Sequence, residues 1–365
     1  MQVIKEEVRA AKGLKTLSQV PNEAGLFSRK FMIESTSLCN LKCPLCPVPA
    51  HLHRNVGHME LHTFQEVIDS IAGYAKKIDL WNFGEPFLNP HIFEMIKYAT
   101  DRGIKVRVST NSTFLSEKEV EQIFWSNLTS IIVCLDGASK ETHERYRIGS
   151  QFEQVVEGIN RLAQSKRKLG RKLPFIRLQF LVFSYNEHEI DDIIEMAEKM
   201  QVDQLALKNV SLGTWIDGKI RKKIAKKLLP KNDKYRKYVV EEEDLQLKIE
   251  DSVCSWAYEN GVVLSNGDVT TCCYDSSGVH AFANVHRDGG FWNILQSDKM
   301  KQIREQIKKR ELPLCKTCQY SDYGATLINF HYENGNGKNS KSLNTPKPIS
   351  EVPQNQNKKI LVEKS

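Results

Sequence analysis

Three cysteines stand close together near the start of the chain: Cys39, Cys43 and Cys46, in the run ESTSLCNLKCPLCPVP. Thiolates are the usual ligands of iron–sulfur clusters, which normally take four of them. A loop that offers only three leaves one iron open to a substrate. Zinc is the alternative, because paired cysteines two residues apart are common in zinc sites that a fourth Cys or His closes. Three downstream histidines could supply that ligand: His51, His53 and His58.

Four further segments that carry polar side chains follow the triplet in order: Asn82–Pro86, Ser109–Ser112, Cys134–Gly137 and His143–Arg147. Together with the triplet they resemble the radical SAM superfamily. In that family the three cysteines hold a 4Fe–4S cluster, and S-adenosylmethionine (SAM) chelates the fourth iron through its amino and carboxylate groups. The segments are similar to the family's Gly-Gly-Glu-Pro segment, its Thr-Asn-Gly turn, its Ser-Leu-Asp-Gly strand end and the stretch whose last arginine commonly faces the SAM carboxylate.

The sequence departs from the family pattern at three positions. Phe83 and Ser112 replace glycines, and Cys134 replaces a serine. Glu85 keeps the carboxylate that the resemblance places against the methionine amino group of SAM. The resemblance therefore implies a first cluster on Cys39, Cys43 and Cys46. It also implies a SAM site built from six residues: Gly84, Glu85, Asn111, Cys134, Asp136 and Arg147.

The bulk properties are those of an ordinary globular protein. The chain has 365 residues, 40% hydrophobic content and nine cysteines. It contains no apolar run long enough to span a membrane and no apolar signal core at its charged N-terminus. We therefore expect a cytoplasmic protein without a membrane span, in which the cysteines serve metal or redox chemistry rather than disulfides.

The net charge of +7 is concentrated in one stretch, since residues 219–237 hold ten Lys or Arg and one Asp, a local balance of +9. Such a stretch is typical of a solvated helix and linker. An alternative is that it attracts an anionic substrate. We do not expect nucleic acid as a partner, because one aromatic residue, Tyr235, does not give the run the interleaved pattern of a stacking surface.

Apolar strand-like runs alternate with helix-like segments from about residue 30 to 210. The predicted strands are Phe31–Thr36, Ile78–Phe83, Lys105–Thr110, Ser130–Leu135, Phe175–Phe183 and Gln204–Lys208. The predicted helices are 62–77, 90–102, 116–126, 151–168 and 187–200. This alternation indicates an α/β fold with a parallel sheet. Six strands suit a partial (β/α)6 barrel, which is also the core fold of the family, with the chemistry at the carboxyl ends of the strands.

The alternation of strand-like and helix-like segments ends before residue 250, and a different pattern follows. Gly261–Thr270 reads as a β-hairpin around Asn266-Gly267, and Phe291–Lys309 reads as a helix. From about residue 334 the composition predicts disorder. We therefore expect five regions: an N-terminal extension (1–29), the barrel core (30–215), a charged connecting segment (216–250), a small α+β auxiliary domain (251–330) and a disordered tail (331–365).

A second set of five cysteines lies in the auxiliary region: Cys254, Cys272, Cys273, Cys315 and Cys318. Its hairpin, and the helix that leads into the last pair, resemble SPASM and "twitch" domains, which carry auxiliary clusters. Full SPASM domains have about seven cysteines and two clusters, so five cysteines imply one. The resemblance implies that Cys254, Cys272, Cys315 and Cys318 ligate a second 4Fe–4S cluster. Taken alone, four cysteines with this spacing suit zinc about as well.

Cys273 is then the one cysteine of this set that the proposed ligands leave over. It is either a buried neighbour of the cluster, an alternative ligand to Cys272, or a hydrogen-atom donor to a substrate radical. Adjacent residues on a strand point to opposite faces, so only one of the two can readily face a cluster. Cys134 is expected to be a buried strand residue as well.

The resemblance implies that a flavodoxin- or ferredoxin-type donor reduces the first cluster. The reduced cluster then cleaves SAM to methionine and a 5′-deoxyadenosyl radical, and this radical takes a hydrogen atom from the substrate. Oxidation of an alcohol also needs a base for the hydroxyl proton, for which Lys208 and Arg177 are candidates. We expect an enzyme that oxidises or epimerises a small hydroxylated molecule, such as a sugar or aminocyclitol. The alternatives are a maturase that modifies a ribosomally made peptide, and a non-enzymatic iron–sulfur or zinc protein. Only about 30 residues precede the first strand, which favours the small molecule over a peptide.

Overall fold

The computed structural model describes residues 30–48, 52, 54–213, 216–240, 245–247, 254, 260–316, 318, 326–329 and 342–344. The predicted N-terminal extension, His51 and His53 lie outside the described residues. Most of the predicted tail does so as well.

Six parallel strands lie side by side in chain order and form the centre of one open sheet. They are β1 (Lys30–Ile33), β2 (Lys77–Asp79), β3 (Lys105–Thr110), β4 (Ser130–Cys134), β5 (Phe175–Val182) and β6 (Gln204–Asn209). β1 and β6 do not pair with each other, so the barrel is not closed. The predicted partial (β/α)6 barrel is confirmed.

Helices connect these strands, as parallel pairing requires. They are α1 (Leu61–Ile71), α2 (Ile92–Asp101), α3 (Glu117–Trp125), α4 (Lys140–Tyr146), α5 (Phe152–Lys168) and α6 (Ile190–Met200). The sequence analysis missed α4, which has only seven residues. This helix begins where the Ser139 side chain accepts a hydrogen bond from the backbone N–H of Thr142, a typical N-cap. α1 ends earlier than predicted, because Ala72 is extended and Gly73 has a φ of 87°.

The strands have two different faces, because successive side chains point to opposite sides of a sheet. One face packs against the helices in the main hydrophobic core; in β5 it carries Ile176, Leu178, Phe180 and Val182. The other face looks into the concavity of the open barrel, and we call it the lumen face. Its side chains in β5 include Arg177 and Gln179. Polar residues therefore line the inside of the barrel, while apolar residues stabilise its outside.

Strands from the C-terminal region extend both edges of this sheet. The predicted hairpin is confirmed: β9 (Val262–Val263) pairs with β10 (Asp268–Thr270), and Gly267 has a φ of 84° in the turn. β9 runs parallel to β1, and β11 (Ala283–Asn284) pairs with β10. At the other edge β12 (Thr326–Asn329) runs antiparallel to β6. The division of the chain into the five regions stays a prediction.

The remaining elements differ from the predictions in two places. The predicted helix 291–309 is two helices, α8 (Phe291–Gln296) and α9 (Asp298–Lys308), because Ser297 is extended and caps the second helix. Within the segment predicted to be disordered, β13 (Ser342–Asn344) pairs with β12. The others are α7 (Gly218–Leu228), the pair β7 (Tyr238–Val240) and β8 (Leu245–Leu247), and α10 (Pro313–Lys316).

The basic stretch begins as α7, whose first turn is capped by the Asp217 carboxylate. Its lysines are mostly exposed, while Ala225 and Leu229 pack into a second apolar cluster with the residues around Cys43. Among the helices in the described part of the chain, none has the length and apolar composition needed to cross a bilayer.

Candidate active site

The loop that follows β1 carries the first three cysteines at the carboxyl edge of the sheet. Inside the loop, the backbone N–H of Cys46 donates to the carbonyl of Cys43 at 3.1 Å. The N–H of Lys42 donates to the carbonyl of Ile148 at 2.9 Å, which ties the loop to the end of α4. Cys43 is buried, and Cys39 and Cys46 are half-buried beside it in the same apolar cluster. The structure therefore brings the three thiols together.

Gly84 lies against the backbone that leads into this loop. A Cβ atom at this position would lie 2.4 Å from the carbonyl oxygen of Thr36 and 2.8 Å from that of Leu38. Its φ of 83° also falls in the left-handed region, which favours glycine. Only glycine fits here without displacing the cysteine loop.

Glu85 is fully buried and holds two strand ends together. Its carboxylate accepts hydrogen bonds from the Thr110 hydroxyl at 2.8 Å, from the Asn111 N–H at 2.7 Å and from the Phe87 N–H at 3.2 Å. Burial raises its pKa to about 7, against the opposing effect of these donors. The side-chain amide of Asn111 lies 3.8 Å from the Cys39 sulfur and donates to Asn40 at 2.8 Å. Glu85 and Asn111 thus border the cysteine loop directly.

Asp136 and Arg147 form a buried ion pair on the opposite side of the loop. The Arg147 Nε lies 2.6 Å from Asp136 Oδ2, while Asp136 Oδ1 accepts from the N–H of Leu181 at 2.7 Å. Arg147 Nη1 also lies 3.9 Å from the Cys43 sulfur. Burial opposes the charge of Arg147, but Asp136 and the nearby thiols raise its pKa well above the usual value. The predicted arginine therefore stands as a fixed cation beside Cys43.

The side chain of one departure, Ser112, contacts the backbone of another, Cys134. Ser112 has a φ of 68°, the left-handed conformation that the glycine of the family's turn would adopt without strain. Its hydroxyl accepts a hydrogen bond from the N–H of Cys134 at 3.1 Å. Cys134 itself is fully buried on the lumen face, with Gln179 Nε2 at 3.7 Å from its sulfur. Burial raises the pKa of its thiol to about 11.

The thiols of the triplet are not acidic by themselves. Burial raises the pKa of Cys39 and Cys43, and that of Cys46 to about 12, although Arg147 opposes the rise at Cys43. Thiolates are the metal-binding form, so a bound metal must supply most of the charge that stabilises them. Three soft sulfur donors in one buried loop fit an iron–sulfur cluster.

The two predicted proton acceptors lie at different depths of the barrel. Lys208 pairs with Leu181 near the carboxyl end of β6, and it is exposed on the lumen face. Arg177 is the third residue of β5, and its Nε donates to the side-chain oxygen of Gln204. Four residues separate Arg177 from Leu181, which corresponds to about 13 Å along a strand. The structure brings Lys208, and not Arg177, to the edge where the cysteine loop lies.

Four of the five C-terminal thiols lie near one another: Cys272, Cys273, Cys315 and Cys318. The charges of Cys272 and Cys318 both act on Cys315, and burial raises the pKa of that thiol to about 11. The Cys272 thiol hydrogen-bonds with Cys273, which together with burial raises its pKa. These thiols therefore share one neighbourhood. Cys254 is half-buried, but its position relative to the other thiols stays a prediction.

Cys273 lies on the lumen side of the hairpin. It packs against a small cluster formed by Met32, Val262 and Leu264. Met32 pairs with Val262 and alternates with the core residues Phe31 and Ile33, so this cluster belongs to the lumen face. Cys273 thus borders the lumen face, and its thiol also contacts that of Cys272, which neighbours Cys315.

A buried ion pair that the sequence analysis missed joins the two cysteine regions. Arg54 Nη2 lies 2.6 Å and 2.7 Å from the two oxygens of Glu34, the first residue after β1. The same guanidinium donates through Nε to the carbonyl of Ser276 at 2.8 Å, and the Ser265 N–H donates to Glu34 at 3.0 Å. We call this group the Glu34–Arg54 lock. The only signal in the sequence was a charged residue at the end of an apolar strand.

Models of two protein families match the chain. Residues 33–197 match the radical SAM superfamily, and residues 254–319 match the SPASM domain, described as an iron–sulfur cluster-binding domain. The first match covers the cysteine triplet, the Glu85 and Asp136 segments and Arg147. The second covers all five C-terminal cysteines.

Curated relatives match over about half of the chain. The AdoMet-dependent heme synthase of Methanosarcina barkeri is 30% identical over 168 residues, 46% of this chain and 46% of the relative. The PqqA peptide cyclase of Bradyrhizobium diazoefficiens is 22% identical over 184 residues, 50% of this chain and 47% of the relative. The chain thus spans about half the length of these relatives.

A solved structure of Streptococcus suis SuiB bound to S-adenosylmethionine aligns with 81% of this chain and 73% of its own, with a TM-score of 0.57 and 16% identity. This likeness supports the fold alone.

Proposed function

Because this chain is a radical SAM enzyme with a C-terminal SPASM iron–sulfur domain, we propose that it oxidises or epimerises a hydroxylated substrate in the lumen of the barrel. Its cofactors are a SAM-binding 4Fe–4S cluster, SAM itself and an auxiliary cluster in the SPASM domain. When bound, the reduced first cluster and SAM supply the 5′-deoxyadenosyl radical that removes a hydrogen atom from the substrate. The protein contributes position, exclusion of water and control of protons.

The proposed ligands follow from residue type and position. Cys39, Cys43 and Cys46 hold the first cluster. A separate set holds the auxiliary cluster: Cys254, Cys272, Cys315 and Cys318. Across the described residues, no three His, Cys, Asp or Glu side chains approach closely enough to surround a single metal ion. The two ligand sets are proposed for iron–sulfur clusters on the basis of their thiol side chains and of the matches to the radical SAM and SPASM models.

The proposed SAM site is the edge between the cysteine loop and the ends of β2, β3 and β4. Glu85 attracts the amino group of SAM with its buried carboxylate. Arg147 faces the SAM carboxylate, and Asp136 fixes the guanidinium at 2.6 Å. Asn111, Gly84 and Cys134 shape the walls of this site. A flavodoxin- or ferredoxin-type protein would provide the electron.

The substrate side of the site is proposed to use Lys208 and Cys273. Lys208 lies at the carboxyl end of β6, where its neutral amine can accept the hydroxyl proton of an alcohol during oxidation. The auxiliary cluster, when bound, would accept the electron that is left on the substrate radical. Cys273 lies on the lumen side of the hairpin, where its S–H can donate a hydrogen atom to a substrate carbon radical. The observation that supports substrate chemistry in this place is the packing of Cys273 against the lumen-face cluster of Met32, Val262 and Leu264.

Turnover in deuterium oxide tests the two outcomes. In an epimerase, wild-type product gains one solvent deuterium at the inverted carbon, and Cys273→Ala abolishes this incorporation. In a dehydrogenase, the product carries no deuterium at that carbon and Cys273→Ala turns over normally. Failure of the reconstituted wild type to form 5′-deoxyadenosine would refute the whole proposal.

Maturation of a ribosomally made peptide is the second candidate. It is supported by the match to a relative named as a peptide cyclase. Mass spectrometry of candidate precursor peptides after incubation with the reduced enzyme and SAM would distinguish it from small-molecule chemistry.

A further inference from the structure

A cluster of cations occupies the amino-terminal end of the lumen, away from the cysteine loop. It consists of Lys30 on β1, Lys77 on β2, Arg107 on β3 and Arg177 on β5, and we call it the lumen cation cluster. Each alternates along its strand with residues of the main core: Phe31, Ile78, Val106 and Ile176. All four side chains therefore belong to the lumen face.

One carboxylate, Asp79, neutralises part of this charge. Its oxygens lie 3.0 Å from Lys30 Nζ, 2.9 Å from Arg107 Nε and 2.7 Å from Arg107 Nη2. The Asp79 side chain is 2% exposed and that of Arg107 17%. Four positive charges thus stand around the buried carboxylate of Asp79.

The other two cations lack a comparable partner among the described residues. Arg177 donates to Gln204, which is neutral. Burial, followed by the charge of Arg107, lowers the pKa of both Arg177 and Lys77, that of Lys77 to about 8. The protein therefore keeps like charges together at an energetic cost that an added anion would remove.

We propose that the lumen cation cluster binds an anionic group of the substrate, a carboxylate or a phosphate, while the reacting carbon lies at the cysteine loop. This inference rests on the proposed function, whose substrate class it narrows to an elongated, hydroxylated organic anion. Arg177 lies about 13 Å along the strand from the level of Lys208. The anionic group must therefore stand roughly that far from the carbon that loses hydrogen.

The lumen cation cluster and the basic stretch of residues 219–237 lie in different places and differ in burial. That stretch lies mainly on and after α7, where most lysines face solvent. Exposed charges attract anions weakly and are screened by salt. The lumen cations are half-buried, and two of them are guanidinium groups, which bind carboxylate and phosphate in a bidentate manner.

Anion binding to the anaerobic holoenzyme, measured by titration calorimetry without reductant, tests this proposal. The probes are inorganic phosphate and, separately, glutarate, and the tighter of the two identifies the preferred group. We expect Arg177→Gln to weaken binding of the preferred probe by roughly tenfold to a hundredfold, because a hydrogen bond to a charged group is lost. Lys77→Gln should weaken it by a smaller factor. Lys226→Gln removes one exposed charge from α7 and should leave the affinity unchanged.

Equal affinities in the wild type, Arg177→Gln and Lys77→Gln would overturn the proposal. An equal loss in Lys226→Gln would also overturn it and assign the binding to the exposed stretch. If Arg177→Gln fails to fold, Lys77→Gln decides alone. Since no SAM chemistry is involved, a wild type that binds the probe but does not cleave SAM would refute the proposed function and leave this site standing.

Discussion

Removal of Arg54 should loosen the contact between the cysteine loop and the C-terminal hairpin. The Arg54 side chain is 6% exposed and that of Glu34 0%. Breaking one partner of a buried ion pair costs about 3–5 kcal/mol, because the other charge remains buried without compensation. Among the described residues, the Glu34 carboxylate in Arg54→Met keeps the backbone N–H groups of Ser265 and Phe83 as donors, at 3.0 Å and 3.4 Å.

Hydrogen exchange of the holoenzyme, followed by mass spectrometry, measures this loss locally. The Ser265 amide donates to Glu34, so its exchange reports on opening of the Glu34–Arg54 lock. A loss of about 3–5 kcal/mol corresponds to exchange faster by roughly 150-fold to 5,000-fold. The double variant Glu34→Gln/Arg54→Met removes the stranded charge and should recover part of the protection.

An exposed ion pair provides the control. Lys199 and Glu195 lie 2.5 Å apart with side chains 72% and 62% exposed. Lys199→Met should leave exchange unchanged, because exposed pairs contribute little to stability. Acceleration of less than about tenfold in Arg54→Met would contradict the estimate for a buried pair. Equal acceleration in both variants would show that the effect is not local.

Three further predictions concern the candidate active site. Gly84→Ala should lose iron from the first cluster site. Gly103 has a similar φ of 75° but open space around it, so Gly103→Ala should keep the iron and cost about 1 kcal/mol of stability. Equal iron contents in the two variants would contradict the steric argument. Cys43→Ala should abolish SAM cleavage, while Cys318→Ala should leave some abortive cleavage without product, as judged by 5′-deoxyadenosine and product yields. SAM affinity, measured by calorimetry, should fall as the pH drops below about 7. Burial raises the pKa of Glu85 to about 7, and the protonated carboxyl carries no charge to attract the amino group. The affinity of Glu85→Gln for SAM should not show this pH dependence.

The sequence predicted the elements whose cause is local. Asn266-Gly267 predicts its hairpin because the turn needs a left-handed residue, and Gly267 has that conformation. The six strands were visible because each is a short apolar run between turns. Ser112 shows the limit of motif matching: a departure from the family pattern keeps the same backbone conformation and gains a hydrogen bond to Cys134.

The parts that were missed depend on partners far away in the chain. Glu34 and Ser265 are 231 residues apart, and no local pattern pairs them. β12 joins β6 in antiparallel register, which required knowledge of which edge of the sheet was free. α4 is too short for a periodic apolar pattern, and only its Ser139 cap marks it. Arg177 was predicted as a candidate base, and its alternation with Ile176 and Leu178 already indicated the lumen face, but not its distance from the cysteine loop.

The separation of the two strand faces explains why the fold alone does not disclose the substrate. Core residues such as Leu178 and Phe180 stabilise the sheet against its helices, and their burial is independent of what the lumen binds. Lumen-face residues can therefore change while the fold is retained, which agrees with the different reactions named for the relatives. The lumen cation cluster is part of this face, and its excess positive charge is costly without a ligand. Its charge is consequently a more direct indication of the substrate class than the likeness of the barrel to other barrels.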